Sequence, residues 1–224
     1  MNMFILIVKG VDAIRPPMPA PSHLAFVLFP RLTLLDFVGP YDALRRLRTF
    51  GYAPELRWSL LGTTADIVDE GGVRIGVDAV RPSLDPYDLL VLPGGLGADA
   101  LLDQPDVLDW LATWGDTRPV ATICSGALLA GRLGWLRGLP AATHHLRSDA
   151  LRPYVGEVRT DRVVEAGRIV TSGGVTAGID LGLHLVRRFW GDEARARRRR
   201  RAAGSPPEVA HVPNQFIQAE TSQR

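Results

Sequence analysis

The sequence has one cysteine, Cys124, in 224 residues. A framework of intramolecular disulfides is therefore excluded, as is any zinc or iron–sulfur site built on several cysteines. No apolar run approaches the roughly 18 residues that a membrane-crossing helix needs. The apolar stretch Phe4–Val8 has no basic residue ahead of it and no small-residue cleavage site soon after. A signal peptide is not expected on those grounds, and the default location is the cytoplasm. A G-x-G-x-x-G fingerprint is missing, and the glycine-rich stretch Pro93-Gly94-Gly95-Leu96-Gly97 lacks the Lys and Ser/Thr of a phosphate-binding loop. Lysine occurs once, at Lys9, so the positive charge is almost wholly arginine. No internal repeat is visible.

What is present describes an ordinary globular chain. Hydrophobic residues make up 46% and charged residues 22%, enough at this length for one buried core. Net charge is +2, but the segment Arg187–Arg201 carries +6, which leaves the remainder mildly acidic. Residues 1–22, with Pro16, Pro17, Pro19 and Pro21, read as a flexible extension. Residues 191–224, with the arginines of Arg195–Arg201 and then Gly204-Ser205-Pro206-Pro207, read as a loosely ordered tail. That tail lacks interleaved aromatics and any helix-turn-helix pattern, so nucleic acid is not an expected partner. Residues 23–190 between them form the expected domain.

Within that domain, apolar runs predict strands at Leu24–Phe29, Leu56–Leu60, Val73–Val77, Tyr87–Leu92 and Val120–Ile123. Helical patterns cover Thr33–Thr49, Asp99–Trp114 and Val175–Phe189, and Ser125–Leu133 reads as a small-residue helix directly after a strand. Arg162–Glu165 and Arg168–Thr171 flank Ala166-Gly167 as a hairpin. Continuous apolar strands alternating with helices predict an α/β three-layer sandwich, a mostly parallel sheet with helices on both faces.

The candidate chemistry centres on Cys124. It stands where a buried strand meets a helix that opens with Ser125-Gly126-Ala127, and small neighbours let the chain turn sharply there, as in a nucleophile elbow. Such a turn aims the side chain at the carboxyl edge of the sheet, where open α/β sheets place ligands. The helix start is expected to favour the thiolate and lower the thiol pKa; a buried structural cysteine is the alternative. Gly94 and Gly95 could aim backbone N–H groups at a developing negative charge, or form a plain strand-to-helix turn. Asp36, ringed by apolar residues in Leu34–Pro40, is either a helix-cap residue or a carboxylate whose burial raises its pKa and suits it to proton transfer. His144 could partner the cysteine. On a strand end its neighbour His145 would point the other way, which argues against a two-histidine metal site. The glycines of Thr171–Asp180 allow close backbone approach, to a ligand or to the cysteine turn.

Five blocks in this order resemble the ThiJ/PfpI superfamily, whose fold is related to class I glutamine amidotransferases and is flavodoxin-like. They are Phe29-Pro30 with Leu35-Asp36-Phe37-Val38-Gly39-Pro40, then Leu92–Gly97, Ile123-Cys124-Ser125-Gly126-Ala127, Ala142-Thr143-His144 and Thr171–Asp180. The resemblance spans about residues 24–190 and points most to the isonitrile hydratase branch, and next to the ligand domains of AraC-type regulators. It implies Cys124 as nucleophile, Asp36 as acid–base partner in place of the Glu of many relatives, and Ser125 as the hydroxyl beside the nucleophile. Gly39, Gly94, Gly95, Thr143 and His144 would contact substrate. It further implies a homodimer that uses no cofactor or metal and acts on a small electrophile, an isonitrile, giving an N-substituted formamide. Ser125 stands where peptidase- and deglycase-like branches often carry His, which argues against peptidase and aldehyde-detoxifying activity. His145 replaces the Trp usual in the hydratase branch, and the branch's usual closing segment is absent. A ligand- or redox-sensing domain is the alternative function.

Overall fold

The computed structural model describes residues 18–202, with side chains through Gly191. The remainder of the expected extension and tail, residues 1–17 and 203–224, lies outside the described residues. The chain runs β1 (His23–Leu28), α1 (Leu34–Thr49), β2 (Arg57–Gly62), β3 (Ile67–Val68), β4 (Arg74–Ile75), β5 (Ala79–Val80) and β6 (Leu89–Leu92). It continues with α2 (Gly97–Leu101), α3 (Pro105–Ala112), β7 (Val120–Ile123), α4 (Gly126–Arg132), β8 (Pro140–Ala142) and α5 (Ser148–Leu151). It closes with β9 (Glu157–Arg159), β10 (Val163–Ala166), β11 (Ile169–Ser172) and α6 (Ala177–Ala202). Two 3₁₀ turns, His145–Arg147 and Arg152–Tyr154, flank α5.

Seven strands form one sheet in the order β10-β11-β7-β6-β1-β2-β5. All neighbours are parallel except β10 and β11, the expected hairpin. Strands β6, β7 and β11 are buried along their whole length, as strands with both faces covered must be. Helices α1 and α6 pack together on one face, and α4 packs with α2 and α5 on the other. This is the α/β three-layer sandwich expected. Among the described residues no helix is long and apolar enough to cross a membrane.

Several elements differ from the sequence pattern. The single helix expected over Asp99–Trp114 is two. Pro105 opens α3 and Gln104 before it is extended (φ −110°, ψ 93°), because the residue ahead of a proline is driven out of helical conformation. The strand expected over Val73–Val77 shrinks to Arg74–Ile75, which pairs antiparallel with β3 outside the main sheet. Helix α6 resumes after a backbone break at Gly191 (φ 87°, ψ 174°) and continues to Ala202, so residues 192–202 of the expected tail have helical backbone.

Candidate active site

Strands β6 and β7 are adjacent and parallel, with Leu92 opposite Thr122. Their carboxyl ends therefore deliver Pro93–Gly97 and Cys124–Gly126 to one edge of the sheet. Cys124 has φ 54°, in the left-handed region, where a non-glycine residue is strained by roughly 1–2 kcal/mol. Backbone bonds hold it there. Its N–H donates to the carbonyls of Ser172 (3.1 Å) and Gly173 (3.2 Å), at the end of β11. Its carbonyl accepts the Thr143 hydroxyl at 2.8 Å.

The glycine-rich loop fits against this turn. A Cβ on Gly94 would lie 2.6 Å from the Ser125 nitrogen and 2.7 Å from the Cys124 Cβ, so no larger residue fits. The Gly95 N–H donates to Ser125 Oγ (2.9 Å), and the Ser125 hydroxyl donates back to the Gly95 carbonyl (3.0 Å). The Gly94 N–H donates to Asp36 Oδ2 (3.2 Å). Both loop N–H groups thus already have acceptors, and they position Asp36 and Ser125 rather than stand free for a developing charge.

Asp36, in the first turn of α1, is fully buried. Its Oδ1 accepts the N–H of Val175 at 3.0 Å. Val175 is itself left-handed (φ 55°), an unusual state for a β-branched residue. Burial pushes the Asp36 carboxyl up to about 6, although bonds from Val175, Cys124 and Gly94 pull the other way. For Cys124, burial and then the charge of Asp36 push the thiol up to about 12. The Ser125 N–H opposes this without reversing it. The expected lowering of the thiol pKa is therefore corrected. Helix α4 has seven residues, and its start is outweighed by desolvation and by the adjacent carboxylate. At neutral pH the pair is a thiol hydrogen-bonded to a carboxylate.

A cavity of about 480 Å³ opens over Cys124 and Ser125. Gly95, Thr33, Glu70, His144 and Arg147 line it, with Leu96, Leu146 and Val175. His144 reaches it by a route other than the one expected. Strand β8 stops at Ala142, and the chain turns at once into a 3₁₀ helix that His144 caps, its Nδ1 accepting the Leu146 N–H at 3.3 Å. The rings of His144 and His145 therefore lie 4.3 Å apart instead of diverging. Burial, with His145 and Arg147 nearby, lowers the His144 pKa. Thr143 lies under the turn rather than in the cavity. Gly39 is not among the cavity residues either. A Cβ there would meet the Ile179 backbone at 3.2 Å, so it serves the close contact of α1 with α6.

Glu70, Leu96, Leu146 and Arg147 were not legible as site residues. Glu70 sits on the turn between β3 and β4, where Asp69 Oδ1 accepts the N–H groups of Gly71 and Val73. Two-residue strands leave no periodicity to read. The available signal was the turn pattern Asp69-Glu70-Gly71-Gly72.

A family model described as DJ-1/PfpI family matches residues 22–188. Over 172 residues the chain is 32% identical to isonitrile hydratase of Pseudomonas putida, covering 75% of this chain and 72% of that one. Over 180 residues it is 25% identical to the HTH-type transcriptional regulator GbdR of Pseudomonas aeruginosa, covering 79% of this chain and 49% of the regulator. It thus spans about half of that regulator. The crystal structure of a ThiJ/PfpI family protein from Pseudomonas syringae superposes with a TM-score of 0.73 at 26% identity, over 90% of this chain and 84% of that one.

Proposed function

The chain belongs to the DJ-1/PfpI family, and within it we propose that the protein is a cofactor-free, cysteine-dependent hydratase that converts isonitriles to N-substituted formamides. The observation that carries this reading is the thiol–carboxylate pair of Cys124 and Asp36 beneath a cavity, in a chain 32% identical to an isonitrile hydratase. An isonitrile presents an electrophilic terminal carbon. Cys124 Sγ attacks it while Asp36 takes the thiol proton and passes it to that carbon, which leaves a thioimidate, R–N=CH–S–Cys124. Asp36, again a carboxylate, then takes a proton from water as the water oxygen adds to the thioimidate carbon. The carbon–sulfur bond breaks and the formamide leaves. The two protons of that water end on the nitrogen and on the released sulfur. Ser125 and Gly94 hold the pair in register, and Thr143 holds the strained turn. The working unit is inferred to be a homodimer in the cytoplasm.

The test is formamide production from a simple aromatic or alkyl isonitrile, run beside Cys124→Ala. Turnover that disappears in the variant is the expected result. Absence of turnover by the folded protein, or equal turnover by the variant, refutes the reading. The similarity to a transcriptional regulator favours a second reading, a ligand-sensing domain. That reading predicts saturable binding of a small molecule with no formamide released.

A further inference from the structure

Large apolar side chains exposed singly on a protein surface carry no message. Here three of them converge. Leu146 is 77% exposed, Leu96 51% and Val175 40%, and all three line the cavity over Cys124. Together they make a water-facing apolar rim around the Cys124 thiol, the kind of clustering that marks a binding surface. The volume, about 480 Å³, lies within the range of small-molecule sites.

The polar groups of the cavity narrow the choice. Arg147 is ion-paired with Asp99, so it does not offer an uncommitted cation to an anionic ligand. Thr33 Oγ1 donates to Glu70 at 3.0 Å, and His144 Nδ1 is occupied by the Leu146 N–H. Glu70 remains as an exposed carboxylate at the opening. Its charge reaches the floor, since it is among the influences that raise the proton affinity of Asp36.

We propose that this cavity admits electrophiles bearing an uncharged, apolar substituent, which Leu96, Leu146 and Val175 receive, and that Glu70 turns anionic substituents away. The inference deepens the hydratase reading and rests on its assignment of Cys124 as the nucleophile.

The experiment measures the rate of Cys124 labelling with two matched pairs of reagents. Iodoacetamide and iodoacetate differ in charge, and N-phenylmaleimide and N-methylmaleimide differ in apolar size. Glu70→Gln keeps the acceptor for Thr33 and removes the charge. The iodoacetamide-to-iodoacetate rate ratio should fall about threefold in this variant at 10 mM salt. The drop should shrink at 200 mM, where the Debye length contracts from about 30 Å to less than 10 Å. Any change in the thiol itself acts on both reagents and cancels in the ratio. Leu146→Ser alters an exposed side chain on a surface turn. It should lower the phenyl-to-methyl ratio roughly fivefold, as when about 40 Å² of apolar surface loses its contact.

A ratio unmoved in either variant overturns the proposal, and so does failure of all four reagents to label Cys124. Ratios that move as stated, without formamide formation from isonitriles, support this inference and remove the hydratase reading. Formamide formation with unmoved ratios does the reverse.

Discussion

At Cys124 and Asp36, burial and a mutual hydrogen bond set the proton affinities. A catalytic thiol is commonly activated by a depressed pKa, but here burial and Asp36 push the thiol up to about 12. In the proposed reaction, activation comes from proton transfer to Asp36 as the sulfur attacks. The carboxyl, raised to about 6 by burial, can accept that proton only when ionised. Therefore kcat/KM for isonitrile hydration should rise with pH around a midpoint near 6 and stay level to about pH 9. A profile that climbs between pH 8 and 9 would mean that the free thiolate attacks. Asp36→Asn should lower kcat/KM by a factor of about 100 or more and abolish the limb near pH 6. Both residues were legible in the sequence, Cys124 from its strand-to-helix junction and Asp36 from its apolar surroundings. The sign of the thiol shift was not. It depends on a carboxylate from another element and on a depth of burial that only the assembled fold provides.

Among the elements, the contact of α1 with α6 sets Asp36 beside Val175, just ahead of α6. A Cβ on Gly182 would fall 2.5 Å from the Ala43 Cβ and 2.8 Å from the Pro40 Cα, so the two helices touch almost backbone to backbone. Gly182→Ala must push them apart, at a cost of about 1–3 kcal/mol for overpacking. The same displacement shifts α6 relative to α1, and with it Val175 against Asp36, so turnover should fall along with stability. Gly51→Ala is the contrasting variant. Gly51 is left-handed (φ 73°) with open space where a Cβ would sit, so alanine there costs about 1 kcal/mol of strain and leaves turnover unchanged. Urea denaturation and formamide assays on the two variants check this, and equal turnover in both would mean that the contact does not position the site. The principal strands were legible as continuous apolar runs, α1 and α6 because each is long enough for its apolar pattern to repeat, and α4 as a run of small residues directly after a buried strand. Strands β3, β4, β5, β8 and β9 have two or three residues and pair by position rather than by pattern. The division between α2 and α3 was written in the sequence as Pro105, against an apolar periodicity that runs past it. The turn that carries Glu70 to the cavity belongs to the short-strand class, which is why the rim was less legible than the floor.

For the whole molecule, burying Asp36 makes stability depend on pH in a direction opposite to that of its other shifted carboxylates. Asp42 and Asp88 are partly buried, which raises their pKa values, but Arg46 and Arg45 at Asp42, and Ser22 and His23 at Asp88, more than reverse this. Their folded pKa values are lowered, so they contribute stability at neutral pH that is lost as pH falls through the acid range. Asp36 is raised from 3.8 to about 6. The folded protein therefore holds this proton more tightly than the unfolded chain does. The stability from this group is fully present below about pH 4 and is lost as pH rises through about 6. By pH 7 the difference amounts to about 3 kcal/mol. Asp36→Asn removes this titration and leaves the lowered carboxylates in place. Compared with the wild type, the variant should gain about 2 kcal/mol in relative stability between pH 4.5 and pH 7.5, measured by urea denaturation at each pH. The comparison of the two proteins at the same pH isolates Asp36, because every other titrating group is common to both. A stability difference independent of pH would show that the carboxyl is not raised. The thiol would then lack a proton acceptor tuned near neutrality, and the mechanism built on the pair would fall with it. A difference that grows as stated would mean that the fold gives up stability at neutral pH to keep an ionised carboxylate beside Cys124.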